Sequence, residues 1–333
     1  MTLEGSQDKR GDANGRDTSP GLSRQEAKQR IALVAYAKQS IQRGSKSFAL
    51  ASRLFDRATR ERVWLLYAWC RKCDDMADGQ DHGGVLDAAH DPAAELIIMR
   101  RLTEKAIAGK STSVPAFDCL AVVAAECGLT QKMCDDVIEG FALDAADWRP
   151  RSEDDLYQYC YHVAGAVGVM MAVVMGVAPD DNETLDRACD LGIAFQLANI
   201  ARDIAEDDAA GRCYLPVDWL VNMDIAPGQH MKPHNRPRLA ILARQLCDES
   251  ELYEQSARFG AARLPFRARW AVLSAAGIYG DIARKVRSAG EQAWDARVHT
   301  SRRDKLSRIS KAFGEARRNM PAAATRAGLW DRP

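Results

Sequence analysis

The chain has no excess charge of either sign: 46 Lys and Arg stand against 46 Asp and Glu. No bulk field therefore points to nucleic acid as a partner. Long apolar runs are also missing. The nearest to one, residues 163–178, has 16 uncharged residues, short of the ~20 that a membrane-crossing helix needs. A Gly-rich phosphate loop, a nicotinamide-binding fingerprint, a period-2 strand pattern and a short-period repeat are all absent. The nine cysteines are odd in number and scattered, which suits a reducing cytoplasm better than a disulfide framework. Cys70 and Cys73 form a CxxC with no second pair or nearby histidine to complete a zinc site, so both are expected to be buried thiols. The first 22 residues lack the apolar core of a signal peptide. Rich in Gly, Asp, Ser and Arg, they are expected to be a disordered polar tail.

What remains is helix after helix. Hydrophobic residues make up 47% of the 333 and charged ones 28%, the balance of a globular protein with a sizeable core. Order is expected from Ser23, where Ser23 and Glu26 have capping-box spacing. Apolar residues recur at three and four in "RACDLGIAFQLANIARDIAED" and "RLAILARQLCDESELYEQSARF". Gly and Pro cluster around residues 78–92, 148–151, 177–181, 208–216 and 226–237, where helices should end. The expectation is a single all-α domain over residues 23–315 and a C-terminal tail over 316–333.

Two stretches carry the chemistry. In "WLLYAWCRKCDDMAD", residues 64–78, an aromatic run leads straight into Asp74, Asp75 and Asp78. In "FQLANIARDIAEDDAAGRCYLP", residues 195–216, Asn199, Asp203 and Asp207 follow at i, i+4 and i+8, stacked on one helical face. Asp74 and Asp78 share the i, i+4 relation. Carboxylates stacked in this way repel, and facing inward they cost more still unless a cation is present. One reading is a pair of solvated helix faces. The other sets the helices face to face, offering all-oxygen ligands to Mg²⁺, which completes its shell with waters and substrate phosphates. The apolar flanks favour the second. Arg71, Arg202 and Arg212 lie beside the acids, and guanidinium groups grip phosphate oxygens bidentately. Ser45, Lys46 and Ser47 form either a flap over a phosphate or a serine-capped turn.

In series, "GSKSFALA", "YAWCRKCDDMAD", "YCYHVAGAVG", "QLANIARDIAED" and "GRCYLP" resemble the squalene/phytoene synthase family, most closely its bacterial phytoene synthase branch. The likeness runs from about residue 40 to residue 303. It implies an isoprenoid-synthase-type helical bundle around a central apolar cavity. There two geranylgeranyl diphosphates would condense head to head, through prephytoene diphosphate, to phytoene, releasing two diphosphates. By motif position, Asp74, Asp78, Asn199, Asp203 and Asp207 would hold Mg²⁺, with Mn²⁺ as a substitute and no NADPH. Ser45, Lys46, Ser47, Tyr67, Arg71, Arg202 and Arg212 would bind or cover the diphosphates, and Gln196, Tyr159 and Tyr279 would line the chamber. Arg297 is carried over on a looser motif, and Glu206 would assist the metals. The chain departs from some relatives in having Gly44 where they have His, which bears on flap contacts.

The chemistry implied needs a dry chamber, because water quenches an allylic cation. In residues 163–178, Gly165, Ala166, Gly168 and Gly176 either leave room for a tail or pack helices closely, and Met170, Met171 and Met175 offer pliable walls. Tyr159 and Tyr161 are candidates to move the terminal proton, with released diphosphate as an alternative acceptor. Residues 297–318 carry eight Lys or Arg, suited either to a peripheral membrane contact or to a solvated helix. Downstream carotenoid enzymes are the other partners the resemblance suggests. Two further activities stay open: a C30 squalene or dehydrosqualene synthase using farnesyl diphosphate, and a non-catalytic scaffold homologue.

Overall fold

Short polar side chains and prolines start most of the helices. Asp56, Thr130, Ser152, Asp181 and Ser301 each accept a hydrogen bond from a backbone N–H in the first turn of the helix that follows. Those N–H groups have no carbonyl within the helix to reach. Pro92, Pro115 and Pro237 stand in the first turns of three others, where a missing N–H costs nothing. The computed structural model describes residues 24–79, 91–318 and 325–333, without the side chains of Lys46 and Ser47. The polar segment 1–22 and the cap expected at Ser23 lie outside the described residues.

In chain order the α-helices are α1 (Arg24–Gly44), α2 (Lys46–Ala51), α3 (Arg57–Ala77), α4 (Pro92–Ile107), α5 (Pro115–Cys127), α6 (Gln131–Ala145), α7 (Glu153–Cys160), α8 (Ala166–Val174), α9 (Asn182–Ala209), α10 (Val217–Asn222), α11 (Arg236–Ala261), α12 (Phe266–Ala289) and α13 (Arg302–Ala316). A π-helical turn, Tyr161–Gly165, joins α7 to α8, and a 3₁₀ turn, Ser52–Leu54, follows α2. No strand occurs among the described residues, so the chain is all-α as expected. No helix there is long and apolar enough to cross a membrane.

The longest helix, α9, is packed against α8, α11 and α12, and its middle is buried on nearly every side. Close approach to α8 depends on missing side chains. A Cβ at Gly192 would lie 2.3 Å from the carbonyl oxygen of Ala164, and one at Gly168 would lie 2.4 Å from that of Ala188. These contacts are backbone on backbone and cannot yield cheaply. Gly165 likewise abuts Cys189, while Gly176 serves a turn at φ +98°. The glycines of residues 163–178 therefore act mainly in packing and turning, and Met171 and Met175 supply the tunnel wall. Met170 is buried in the core.

The last described segment, residues 325–333, returns to the bundle. Arg326 forks onto Asp190 of α9 at 2.8 and 2.9 Å, Arg332 binds Asp186 at 2.6 Å, and the Trp330 indole donates to Asp154 at 2.8 Å. A segment expected to be a tail thus clamps the first half of α9. All nine cysteines are free thiols, Cys73 is buried, and Cys70 is half-buried.

Candidate functional site

Helix α3 delivers its acids at its C-terminal end. The aromatic and aliphatic residues ahead of them, Leu65, Leu66 and Trp69, are buried in the core. That burial fixes the helix so that its last turns open onto a cavity of about 360 Å³ bordered by Tyr67, Arg71, Asp74, Asp144, Tyr159 and Gln196. Arg71 bonds Asp74 at 2.9 Å and reaches Asp75 at 2.7 Å. Asp75, one position round, points into the core rather than the cavity. Asp78 closes the helix, its N–H bonded to the Asp74 carbonyl, and is exposed. Burial, reinforced by Asp78, pushes the Asp74 carboxyl up to about 6.

Helix α9 brings the second set. Asn199 and Gln196 face an apolar tunnel of about 410 Å³ that shares Val163, Val167 and Gln196 with the first cavity. Farther along, Asp203 is held by Arg202 and, at 3.0 Å, by Arg297. Arg297 also approaches Glu206 at 3.8 Å. One turn on, burial and the neighbouring Asp203 push Asp207 up to about 6, while Arg212 opposes the shift. Thus Arg297, carried over on a loose motif, stands at the second acidic set.

Between the two sets sits a residue the sequence did not single out. Asp144, near the end of α6, accepts hydrogen bonds from the hydroxyls of Tyr159 and Tyr214, both at 3.0 Å and both on Oδ1. Trp148, Tyr159 and Tyr214 stack in a column, with ring centroids 5.6 and 4.8 Å apart. Burial raises the Asp144 carboxyl despite the two phenols. Its charge in turn raises both Asp74 and Asp207, and Arg212 faces Asp78 and Asp144 together. A lone aspartate on a half-apolar helix carries no spacing signal. Tyr214 stood in a motif but without an assigned role.

The remaining expected residues divide. Tyr67 meets Phe48 edge-on at 5.7 Å, and a Cβ at Gly44 would lie 2.2 Å from its hydroxyl oxygen. The Gly44 departure therefore leaves room for that phenol. Tyr279 stacks on Phe195 at 4.2 Å in the tunnel wall. Ser45 spends its hydroxyl on the N-cap of α2, accepting from the Phe48 N–H at 3.2 Å, which is the capped-turn alternative. The side chains of Lys46 and Ser47 lie outside the described residues. Tyr161 departs from expectation. The π-helical turn directs it away from the chamber, where its hydroxyl donates to Asp136 at 2.7 Å and its ring meets Trp330.

The donors fit a hard divalent cation. One carboxyl of each acidic pair, Asp74 or Asp207, is pushed upward by burial and by its neighbour, and every candidate donor is oxygen. Among the described residues no three His, Cys, Asp or Glu side chains converge to hold an ion unaided. The Cys70 thiol, also at the cavity wall, is pushed up to about 12 by burial and is no nucleophile.

Comparison with known proteins gives a consistent set of likenesses. Residues 41–304 match the family model described as squalene/phytoene synthase. The chain is 46% identical over 305 residues to a phytoene synthase of Pseudescherichia vulneris, covering 90% of this chain and 98% of the relative. It is 44% identical over 303 residues to a 15-cis-phytoene synthase of Paracoccus sp., covering 90% and 98%. Among solved structures, a dehydrosqualene synthase in complex with a ligand superposes with a TM-score of 0.76 at 27% identity, covering 86% of this chain and 97% of that one.

Proposed function

The chain belongs to the squalene/phytoene synthase family, and from that premise we propose that it is a phytoene synthase, a prenyltransferase that joins two geranylgeranyl diphosphates head to head. The observation that carries the reading is that Asp74 of α3 and Asp144 of α6 border a charged cavity sharing its wall with an apolar tunnel, and that Asp207 of α9 lies near enough to feel the Asp144 charge. Such a site must hold a diphosphate and a long hydrocarbon tail at once. The 44–46% identity to proteins named phytoene synthase favours the C40 reaction over the C30 alternative.

Asp74, Asp78, Asn199, Asp203 and Asp207 would hold Mg²⁺, or Mn²⁺ in its place. When bound, the metal supplies positive charge to the leaving diphosphate. Arg71, Arg202, Arg212 and Arg297 stand beside the acids, and diphosphate oxygens would take over the hydrogen bonds Arg202 and Arg297 now give Asp203. Fixed charges aimed at a developing anion stabilise its departure. Phe195, Met171, Val167 and Tyr279 wall the tunnel against water, which protects the allylic cation on the way through prephytoene diphosphate. Tyr159, at the cavity wall, donates its hydroxyl proton to Asp144, and its ring would face that cation. No NADPH takes part. The hydrocarbon product passes to downstream carotenoid enzymes, and both substrate and product call for a peripheral membrane contact.

Incubating purified protein with Mg²⁺ and either geranylgeranyl or farnesyl diphosphate, with and without NADPH, tests this by chromatography and mass spectrometry. A C40 hydrocarbon forms without NADPH. Asp74→Ala and Asp203→Ala abolish it while the helical circular dichroism stays intact. A C30 product alone, or near-normal turnover by either variant, overturns the assignment.

A further inference from the structure

Helix α13 presents one sign of charge to the outside. Its two acids are both paired with cations of the neighbouring helices, Asp304 while still part-exposed. Asp304 binds Lys285 at 2.6 Å and caps its own helix through the Ser301 N–H, and Glu315 is gripped by Arg258 at 2.6 and 2.7 Å. Arg302, Arg303, Lys311, Arg317 and Arg318 are exposed, and none forms an ion pair among the described residues. Only Ala312 and Ala316 of this helix are buried, against Ala261 and Leu273. The helix therefore lies shallow on the body.

Its outward stripe is not purely polar. Leu306 is 65% exposed, and Phe313, with Arg317 over its ring at 5.6 Å, is exposed as well. Phe313 meets Trp270 at 5.1 Å and the exposed Phe266 at 5.7 Å, so α12 and α13 share an aromatic edge. Directly beneath, Ala271, Val272 and Ala275 of α12 form part of the tunnel wall. A single helix thus separates the hydrocarbon chamber from this surface.

We infer that the outer face of α13, together with Phe266, is a docking surface for an anionic lipid bilayer. Exposed cations whose neighbouring acids are already paired complement anionic headgroups, each worth roughly fivefold in affinity near such a surface. Leu306, Phe313 and Phe266 would enter the headgroup–acyl boundary, as the apolar side of an interfacial helix does. A nucleic acid would use the cations but leave these side chains in water, so the bilayer is the occupant the apolar stripe selects. The inference rests on the prenyl synthase reading only for its purpose, since the surface itself is defined by geometry and charge.

The full chain is sedimented with phosphatidylcholine vesicles with and without one-third phosphatidylglycerol, beside two variants. One is Arg303→Glu with Lys311→Glu and Arg317→Glu, and the other is Leu306→Ser with Phe313→Ser. The wild type should pellet with the anionic vesicles and not the neutral ones, and each variant should bind at least ~10-fold more weakly. Hydrocarbon formation from detergent-dispersed substrate, measured separately, should stay within about twofold of wild type, because α13's outer face touches no substrate. A wild type that stays in the supernatant with anionic vesicles, or binding unchanged in both variants, overturns the proposal. Loss of detergent activity in the wild type would instead count against the enzyme assignment and leave the vesicle result standing.

Discussion

Replacing Arg326 by Ala strands a charge inside the protein. Asp190 is wholly buried on α9, and its carboxylate receives two hydrogen bonds from Arg326 and one of 2.5 Å from Ser256. Burial holds this carboxyl above the usual range even with the guanidinium in place. Without Arg326 only Ser256 remains among these donors. Breaking a buried ion pair from one side costs about 3–5 kcal/mol, and the buried Arg187, whose charge also lowers the Asp190 carboxyl, holds the loss toward the lower end. At this chain length roughly 2 °C of melting temperature goes with each kcal/mol, so the loss is ~6–10 °C. Urea unfolding followed by circular dichroism at pH 7.5 reads the same quantity as a lower midpoint.

The cause can be separated from a mere loss of packing. Adding Asp190→Asn to Arg326→Ala removes the stranded charge, so the double variant should be more stable than Arg326→Ala alone. Acidification should do the same. A carboxyl raised in the folded state imposes its penalty above its folded pKa, and that penalty is relieved as the pH falls toward the ordinary carboxylate value. The deficit of Arg326→Ala should therefore shrink at lower pH. A single variant within ~1 kcal/mol of wild type, or a double variant no better than the single, refutes the reasoning.

Two other outcomes follow from the site. With Asp74 and Asp207 both near 6, metal-free protein binds more protons folded than unfolded between about pH 4 and 6, so these groups make it more stable as the pH falls through that window. On the proposed metal assignment Mg²⁺ needs both ionised, so its apparent affinity, read by calorimetry with an unreactive substrate diphosphate analogue present, should drop ~100-fold from pH 7.5 to 5. An affinity independent of pH would remove these two aspartates from the metal site. Asp144→Asn keeps an acceptor for Tyr159 and Tyr214 but removes the charge that raises Asp74 and Asp207. The acidic limb of the pH–rate profile should move to lower pH with little loss of melting temperature, and an unmoved limb would separate Asp144 from both sets.

Much of this molecule is written in short-range terms. The caps at Asp56, Asp181 and Ser301, the prolines at residues 92, 115 and 237, and the three-and-four recurrence of apolar residues place the helices before any contact is known. The i, i+4 relation of Asp74 with Asp78 and of Asp203 with Asp207 is likewise local, since one helical turn sets it. Ordered motifs then identify the family, and with it a pair of acidic helices.

Other features have no local signature. Asp144 matters because α6 carries it to Tyr159 and Tyr214, 15 and 70 residues away along the chain. Tyr159 and Tyr161 look equivalent two positions apart, yet the π-helical turn at Tyr161 parts them, one to the chamber and one to Asp136. Arg326 finds Asp190 across 136 residues, and the acids of α13 are paired only because Arg258 and Lys285 wait on α11 and α12. Helical spacing is decided within a turn of backbone. Which face is buried, and which charge is neutralised, is decided by partners that only packing brings near.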